Sequence, residues 1–297
     1  MSVLAQALVA SYGAGGPPAG GPLDLPGLWA AYGISRLIDN YSGPALKARR
    51  SSDNATRDIG FNGSFTDLDT ADLATWAGSD SVFVERWYDQ KNSNDFLQST
   101  TNYQPRIVNA GVYDGFIRFD GSDDVMASVA NSGTPAAITT AFRAWSRSNT
   151  TGIFIEKGPD INTTNGSYIL TLNNSGTNVL RMGVSANQSG ATGQFVVWNA
   201  TSNPTTSEAA WVVRYDRSLS TASNYAAWRA AWRDGTSQTV AHASTSLNPG
   251  AQTTFLANAY YIGARSSRAL PGPVNFKSLV IYESNRDADV STITAEL

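Results

Sequence analysis

The chain has 297 residues, a formal net charge of -3, 15% charged residues, no cysteine and a single histidine, His242. The missing Cys and His clusters exclude structural zinc, a disulfide scaffold and thiol catalysis, and the slightly acidic balance argues against a nucleic-acid partner. A hydrophobic share of 41%, with 8 Trp, 12 Tyr and 11 Phe, is enough for a packed core. Ser, Thr and Asn make up about 28% of the chain, which suits the exposed strand faces of an all-β protein. There is no run of ~18 apolar residues to span a membrane, and the mildly apolar start lacks the basic region of a secretory signal.

In chain order, residues 1–28 stand apart. Gly13-Ala-Gly-Gly-Pro-Pro-Ala-Gly-Gly-Pro22 can be neither helix nor strand, because Gly costs backbone entropy and Pro removes donors. This segment reads either as an arm that docks onto a larger assembly or as a frayed terminus. Residues 29–297 read as one β-sandwich domain. Ser42-Gly43-Pro44 is a turn signal leading into a strand over 46–50. Residues 67–78 predict a short helix, with Thr70 as N-cap, Asp72 in the first turn and Gly78 after the end.

Strand signals then run almost without a break, over 82–88, 116–119, 138–145, 153–156, 168–172, 179–184 and 194–198. They continue over 210–215, 225–232, 238–243, 260–263 and 274–282, and residues 287–297 predict a closing helix. The spacing of ~10–16 residues, with Asn, Gly, Ser or Pro between, points to a sandwich. Trp211, Val213 and Tyr215 alternate onto one face, which reads as core. Trp228 and Trp232 share a face with Ala226 and Ala230, a large-small rhythm that predicts an inner face. Trp145 shares its face with Arg143 and Arg147, which predicts exposure or a groove wall.

Three blocks carry a resemblance. They are Tyr41-Ser-Gly-Pro-Ala-Leu-Lys-Ala-Arg-Arg-Ser-Ser-Asp-Asn-Ala-Thr-Arg-Asp-Ile-Gly60, Trp87-Tyr88-Asp89-Gln90, and Gln104-Pro-Arg-Ile-Val-Asn-Ala-Gly111. In order and spacing, over residues 31–111, they resemble the opening of the arabinofuranosidase B catalytic domain. The remainder, from Phe116-Ile-Arg-Phe-Asp-Gly121 onward, is similar to general laminin-G or concanavalin-like lectin modules, a combination that recurs in structural proteins of tailed bacteriophages. The resemblance implies an all-β, concanavalin-like jelly-roll sandwich. It also implies a virion setting in which residues 1–28 attach to other virion proteins, as head, tail or baseplate, and the sandwich faces host-surface glycans, with a homo-oligomer expected.

The departures from that family are specific. Its nucleophile is a Glu within Asp-Leu-Glu-Asn, and this chain has no such tetrapeptide. Its sugar pocket uses an adjacent cysteine pair, and this chain has no cysteine. The scaffold therefore carries over and the catalytic motif does not. The leading expectation is a non-enzymatic binding or structural module, with a glycoside hydrolase acting on surface polysaccharide as the alternative.

Hydrolysis would need two carboxyl groups, about 5–5.5 Å apart in a retaining enzyme; Asp89, Glu156 and Asp216 are the leading candidates, with Asp120, Asp123 and Asp124 as further strand-end carboxylates. Strand-end Asp more often fixes a turn. Glycan binding would need exposed aromatic faces beside amides, for which Trp145 and Trp198, with Asn149 and Asn199, are the candidates. Asp120-Gly-Ser-Asp-Asp124 has oxygen ligands at short spacing, but it sits between two strands and reads as a hairpin turn. No metal or cofactor is expected.

Overall fold

In the computed structural model the described residues are 21–64, 66–148, 150–173, 179–185, 195–202, 207–219, 223–245 and 254–297. Asn149 lies outside them, as do residues 1–20 of the predicted arm.

Antiparallel pairing builds two layers. The first runs in the order β3 (Thr56–Ile59), β2 (Leu46–Arg50), β4 (Val82–Trp87), β6 (Arg106–Asn109), β7 (Val112–Arg118), β19 (Val274–Tyr282), β9 (Ala137–Ser146), β14 (Ala209–Asp216), β15 (Arg229–Arg233) and β16 (Thr236–Ser237). The edge of β19 away from β9 is shared: Asn275 and Phe276 pair with β7, and Ser278 to Tyr282 pair with β1 (Leu28–Gly33). The second layer runs β5 (Phe96–Leu97), β8 (Met126–Ser128), β18 (Tyr260–Gly263), β10 (Gly152–Lys157), β11 (Tyr168–Asn173), β12 (Val179–Ser185), β13 (Phe195–Ala200) and β17 (Val240–Thr245). A short pairing between β4 and β5 joins the layers. The expected all-β sandwich is the fold.

Alternation decides what each strand buries. Phe142 of β9 stacks on Phe154 of β10 at 5.6 Å, and Tyr215 of β14 meets Tyr168 of β11 at 4.9 Å, so the two layers interleave aromatic rings across the core. Trp87, Trp198 and Trp211 are fully buried there. On β15 the sequence expectation is inverted. Ala231 faces this core, while Trp232 points to the other side and packs with Val212 and Ile293. Residues 225–228 form a 3-10 turn, not strand. The inward positions beside Ala231 are Arg229 and Arg233, whose guanidiniums lie over the Trp198 and Trp211 rings at 5.7 and 5.8 Å. Alternation alone does not tell inner from outer when both faces carry long side chains with apolar stems.

The helix α1 (Thr70–Ala77) forms where expected, but its N-cap is Asp69, whose Oδ1 accepts from the Asp72 N–H at 2.9 Å. The closing helix α2 (Val290–Glu296) covers part of the first layer's outer face with Val290 and Ile293. Residues 23–28, placed by composition in the arm, belong to the domain. Leu23, Leu25 and Leu28 are buried in the same apolar layer, and the Tyr282 hydroxyl donates to Leu23 O at 2.8 Å. The other half of that outer face is left polar, and the site lies on it.

Candidate functional site

The blocks that carry the resemblance are wired by buried polar groups. Asp89 Oδ1 accepts the N–H of Ala31 and Lys91, and Oδ2 those of Asn92 and Asn94, at 2.8–3.0 Å. Burial pushes this carboxyl up, against the pull of the four donors. Gln90 Oε1 accepts from Leu37 N at 2.6 Å and Ile38 N at 3.3 Å. Arg49 donates through Nε to Gln104 Oε1 at 2.6 Å, through Nη1 to Asn54 Oδ1 and through Nη2 to Thr101 O. Asp89 and Gln90 thus fix loops, since buried polar groups must be satisfied.

The same wiring raises the wall of a cleft of 510 Å³. Register places Arg49 opposite Phe83, Phe83 opposite Arg106, Arg106 opposite Arg118, Arg118 opposite Asn275 and Asn275 opposite Trp145. Directly opposed residues share a face, so six strands contribute one continuous outward row. Arg49 lies over the Phe83 ring at 5.0 Å, and Trp145 meets Phe116 edge-on at 4.8 Å. Arg49, Phe83, Arg106 and Arg118 line the cleft together with Asn102, Gln104, Asp120 and Asp124.

The 120–124 loop between β7 and β8 is a tight turn. Asp120 Oδ1 accepts from Ser122 N at 2.7 Å and Asp123 N at 3.3 Å, and Asp124 Oδ2 accepts from Asp120 N at 2.8 Å. Carboxylate oxygens of Asp120, Asp123 and Asp124 lie within 4.8 Å of one another, and these are the residues that could hold a hard cation. Burial, then the neighbouring Asp120 charge, raises Asp124 to about 7.

A second, smaller groove of 200 Å³ opens on the outer face of the second layer, lined by Ile161, Ile169, Thr171, Arg181, Val197 and Arg265 among others. None of its lining residues is a carboxylate. Glu156 lies behind it, fully buried, bound by Arg265 Nε at 3.1 Å and the Ile161 N–H at 2.6 Å, and burial raises it to about 7.

The sequence candidates scatter over this frame. Trp145 is half-buried beside the cleft row, as its arginine neighbours suggest. Trp198 is corrected: it is fully buried, because Val196, Trp198 and Ala200 are the inward positions of β13, and it offers no face to a ligand. Asn199 points the opposite way, opposite Arg181 on the second layer, so it does not join Trp145. Asp216 accepts from Ser218 N and Oγ through Oδ1 and from Asn285 Nδ2 through Oδ2, a turn-fixing role. Asp89, Glu156 and Asp216 sit in three separate hydrogen-bond networks, none of which shares a cleft with another. Asp120 and Asp124 do share one; the sequence offers them among its strand-end carboxylates and favours a turn for them.

No protein-family model matches the chain, and no curated protein matches it. Solved structures do. An arabinofuranosidase complexed with arabinofuranosyl-alpha-1,2-xylobiose superposes with a TM-score of 0.58 at 13% identity, over 91% of this chain and 62% of that one. A GH54 a-l-arabinofuranosidase soaked with a cyclic sulfate inhibitor gives 0.59 at 12% identity, over 91% and 63%. This chain thus spans less than two thirds of either protein. At such identities the likeness is one of fold: a β-sandwich scaffold of the kind glycosidases use.

Proposed function

We propose that this protein is a carbohydrate-recognising β-sandwich module and that the cleft across β2, β4, β6 and β7 is where it binds. The observation that carries the reading is the lining. A half-buried Phe83 ring lies among guanidinium, amide and carboxyl groups, which matches a sugar ring's apolar face and its rim of hydroxyls. The scaffold likeness to arabinofuranosidases supports it. Calorimetric titration with neutral and acidic oligosaccharides tests it: binding weakened by Phe83→Ala is expected, and no binding to any of them at millimolar concentration overturns it.

A specific observation favours a second reading, hydrolysis. Asp120 and Asp124 line one cleft with carboxylate oxygens within 4.8 Å, and their environments differ, since Asp120 is exposed whereas Asp124 is buried and that burial raises its carboxyl to about 7. A close pair with one protonated member is the arrangement retaining glycosidases need, at about 5–5.5 Å. Release of reducing sugar that is lost in both Asp120→Asn and Asp124→Asn would establish it.

The virion setting belongs to the same proposal and rests on the sequence resemblance alone. Residues 1–20 would attach the sandwich to a phage particle, with the cleft presented to host-surface glycans. Particles carrying a chain deleted for residues 1–20 would then lack the protein, and unchanged incorporation would refute the attachment.

A further inference from the structure

Charge on the cleft wall is unbalanced. Arg106 and Arg118 stand directly opposite each other on β6 and β7, an arrangement that repels unless something neutralises it. Asp114 neutralises Arg106, with Nε to Oδ2 at 2.9 Å and Nη2 to Oδ1 at 3.3 Å. Arg118 forms no ion pair and no side-chain hydrogen bond with any described residue, although it is only partly exposed. Two further guanidiniums nearby have neutral partners. Arg49 spends its donors on Gln104, Asn54 and Thr101 O, and Arg147 donates to Phe119 O at 2.6 Å while its buried Nε has no partner. Asn275, next to Arg118 in the row, is 1% exposed and its Oδ1 is also unpartnered.

We infer that the cleft is selective for an acidic glycan, the carboxylate of a uronic-acid residue docking on the Arg118 guanidinium while the sugar ring lies toward Phe83. The inference rests on the carbohydrate reading above and adds the ligand class. A guanidinium fork matches a planar carboxylate with two parallel hydrogen bonds. The exposed Asp120 carboxylate also lines the cleft, which disfavours a more highly charged group such as a phosphate monoester. A single negative charge satisfies Arg118, the member of the opposed Arg106–Arg118 pair that no described carboxylate neutralises.

The test compares tetragalacturonate with its full methyl ester, which keeps the rings and removes the charge, and with a sulfated galactan tetrasaccharide. Calorimetry on the full chain should show the acid binding at least tenfold tighter than the ester, with a preference that shrinks as salt rises. Arg118→Gln should abolish the preference. Arg143→Gln, on the same face but held by Glu208 away from the cleft, should leave it intact and controls for a general loss of positive charge. Equal affinity for acid and ester overturns the acidic specificity and leaves the carbohydrate reading standing. No binding of any of the three overturns both. A sulfated ligand that binds as well as the acid, and is lost in Arg118→Gln, overturns the choice of carboxylate.

Discussion

Replacing Asp124 by Asn should stabilise the protein at pH 8 and do almost nothing at pH 4. Asp124 is 6% exposed, and its carboxyl is raised from 3.8 to about 7, chiefly by burial and then by Asp120, with Asp123 adding and Arg147 opposing. A folded-state value above the unfolded one means that the group's contribution to stability is fully present below the unfolded value and is lost as pH rises through about 7. About three units at ~1.4 kcal/mol each set an upper limit near ~4 kcal/mol for that loss. Asn removes the buried charge, keeps the shape, and retains an oxygen to accept from the Asp120 N–H. The variant should therefore exceed the wild type by ~2–4 kcal/mol at pH 8, and by less than ~0.5 kcal/mol at pH 4. Urea unfolding midpoints at the two pH values, in buffer with a chelator so that no divalent ion meets the three carboxylates, provide the measurement. A variant equal to or weaker than the wild type at pH 8 would refute the reasoning, because Asp124 would then be a charge that the fold welcomes.

Other outcomes follow from packing and caps. Trp198→Ala should cost ~3–5 kcal/mol, as for other fully buried large side chains, while Trp145→Ala, half-buried at the row's end, should cost markedly less; paired unfolding curves separate them. Asp89→Ala removes the acceptor of four backbone N–H groups and should destabilise by at least ~3 kcal/mol, with early hydrogen exchange at Ala31, Asn92 and Asn94. Gly263→Ala should be poorly tolerated, since Gly263 has φ 82° and a Cβ there would lie 2.0 Å from the Phe119 ring; soluble yield and melting temperature report it.

Long strands were legible because alternation and β-branched or aromatic enrichment run for six residues or more. Strands over 210–215 and 274–282 fall where the pattern puts them. The two- and three-residue strands β5, β8 and β16 were not legible, because their pairing is decided by partners distant in sequence. At β13, the inward set of Val196, Trp198 and Ala200 could have been read from alternation, whereas its neighbour Asn199 was grouped with Trp198 only by adjacency. The cleft was out of reach for a different reason. Arg49, Phe83, Arg106 and Arg118 come from four strands, and only the register of those strands brings them into one row. A hint existed in the three blocks, which supply Arg49, Gln104 and Arg106, yet those residues read there as scaffold.

The position of β19 governs how the molecule can assemble. This strand follows every other described strand in the chain, yet it lies in the middle of the first layer, between β9 on one side and β1 and β7 on the other. The strands it joins were synthesised more than a hundred residues earlier and must keep open hydrogen-bonding edges until it arrives. Pairing of such sequence separation makes folding slow and exposes unpaired edges to association between chains. β7, which carries Arg118 into the cleft, pairs with Asn275 and Phe276 on its far edge, so a ribosome-bound chain ending before β19 would hold every cleft-lining residue yet lack the strand that ties the cleft's half of the layer to β9.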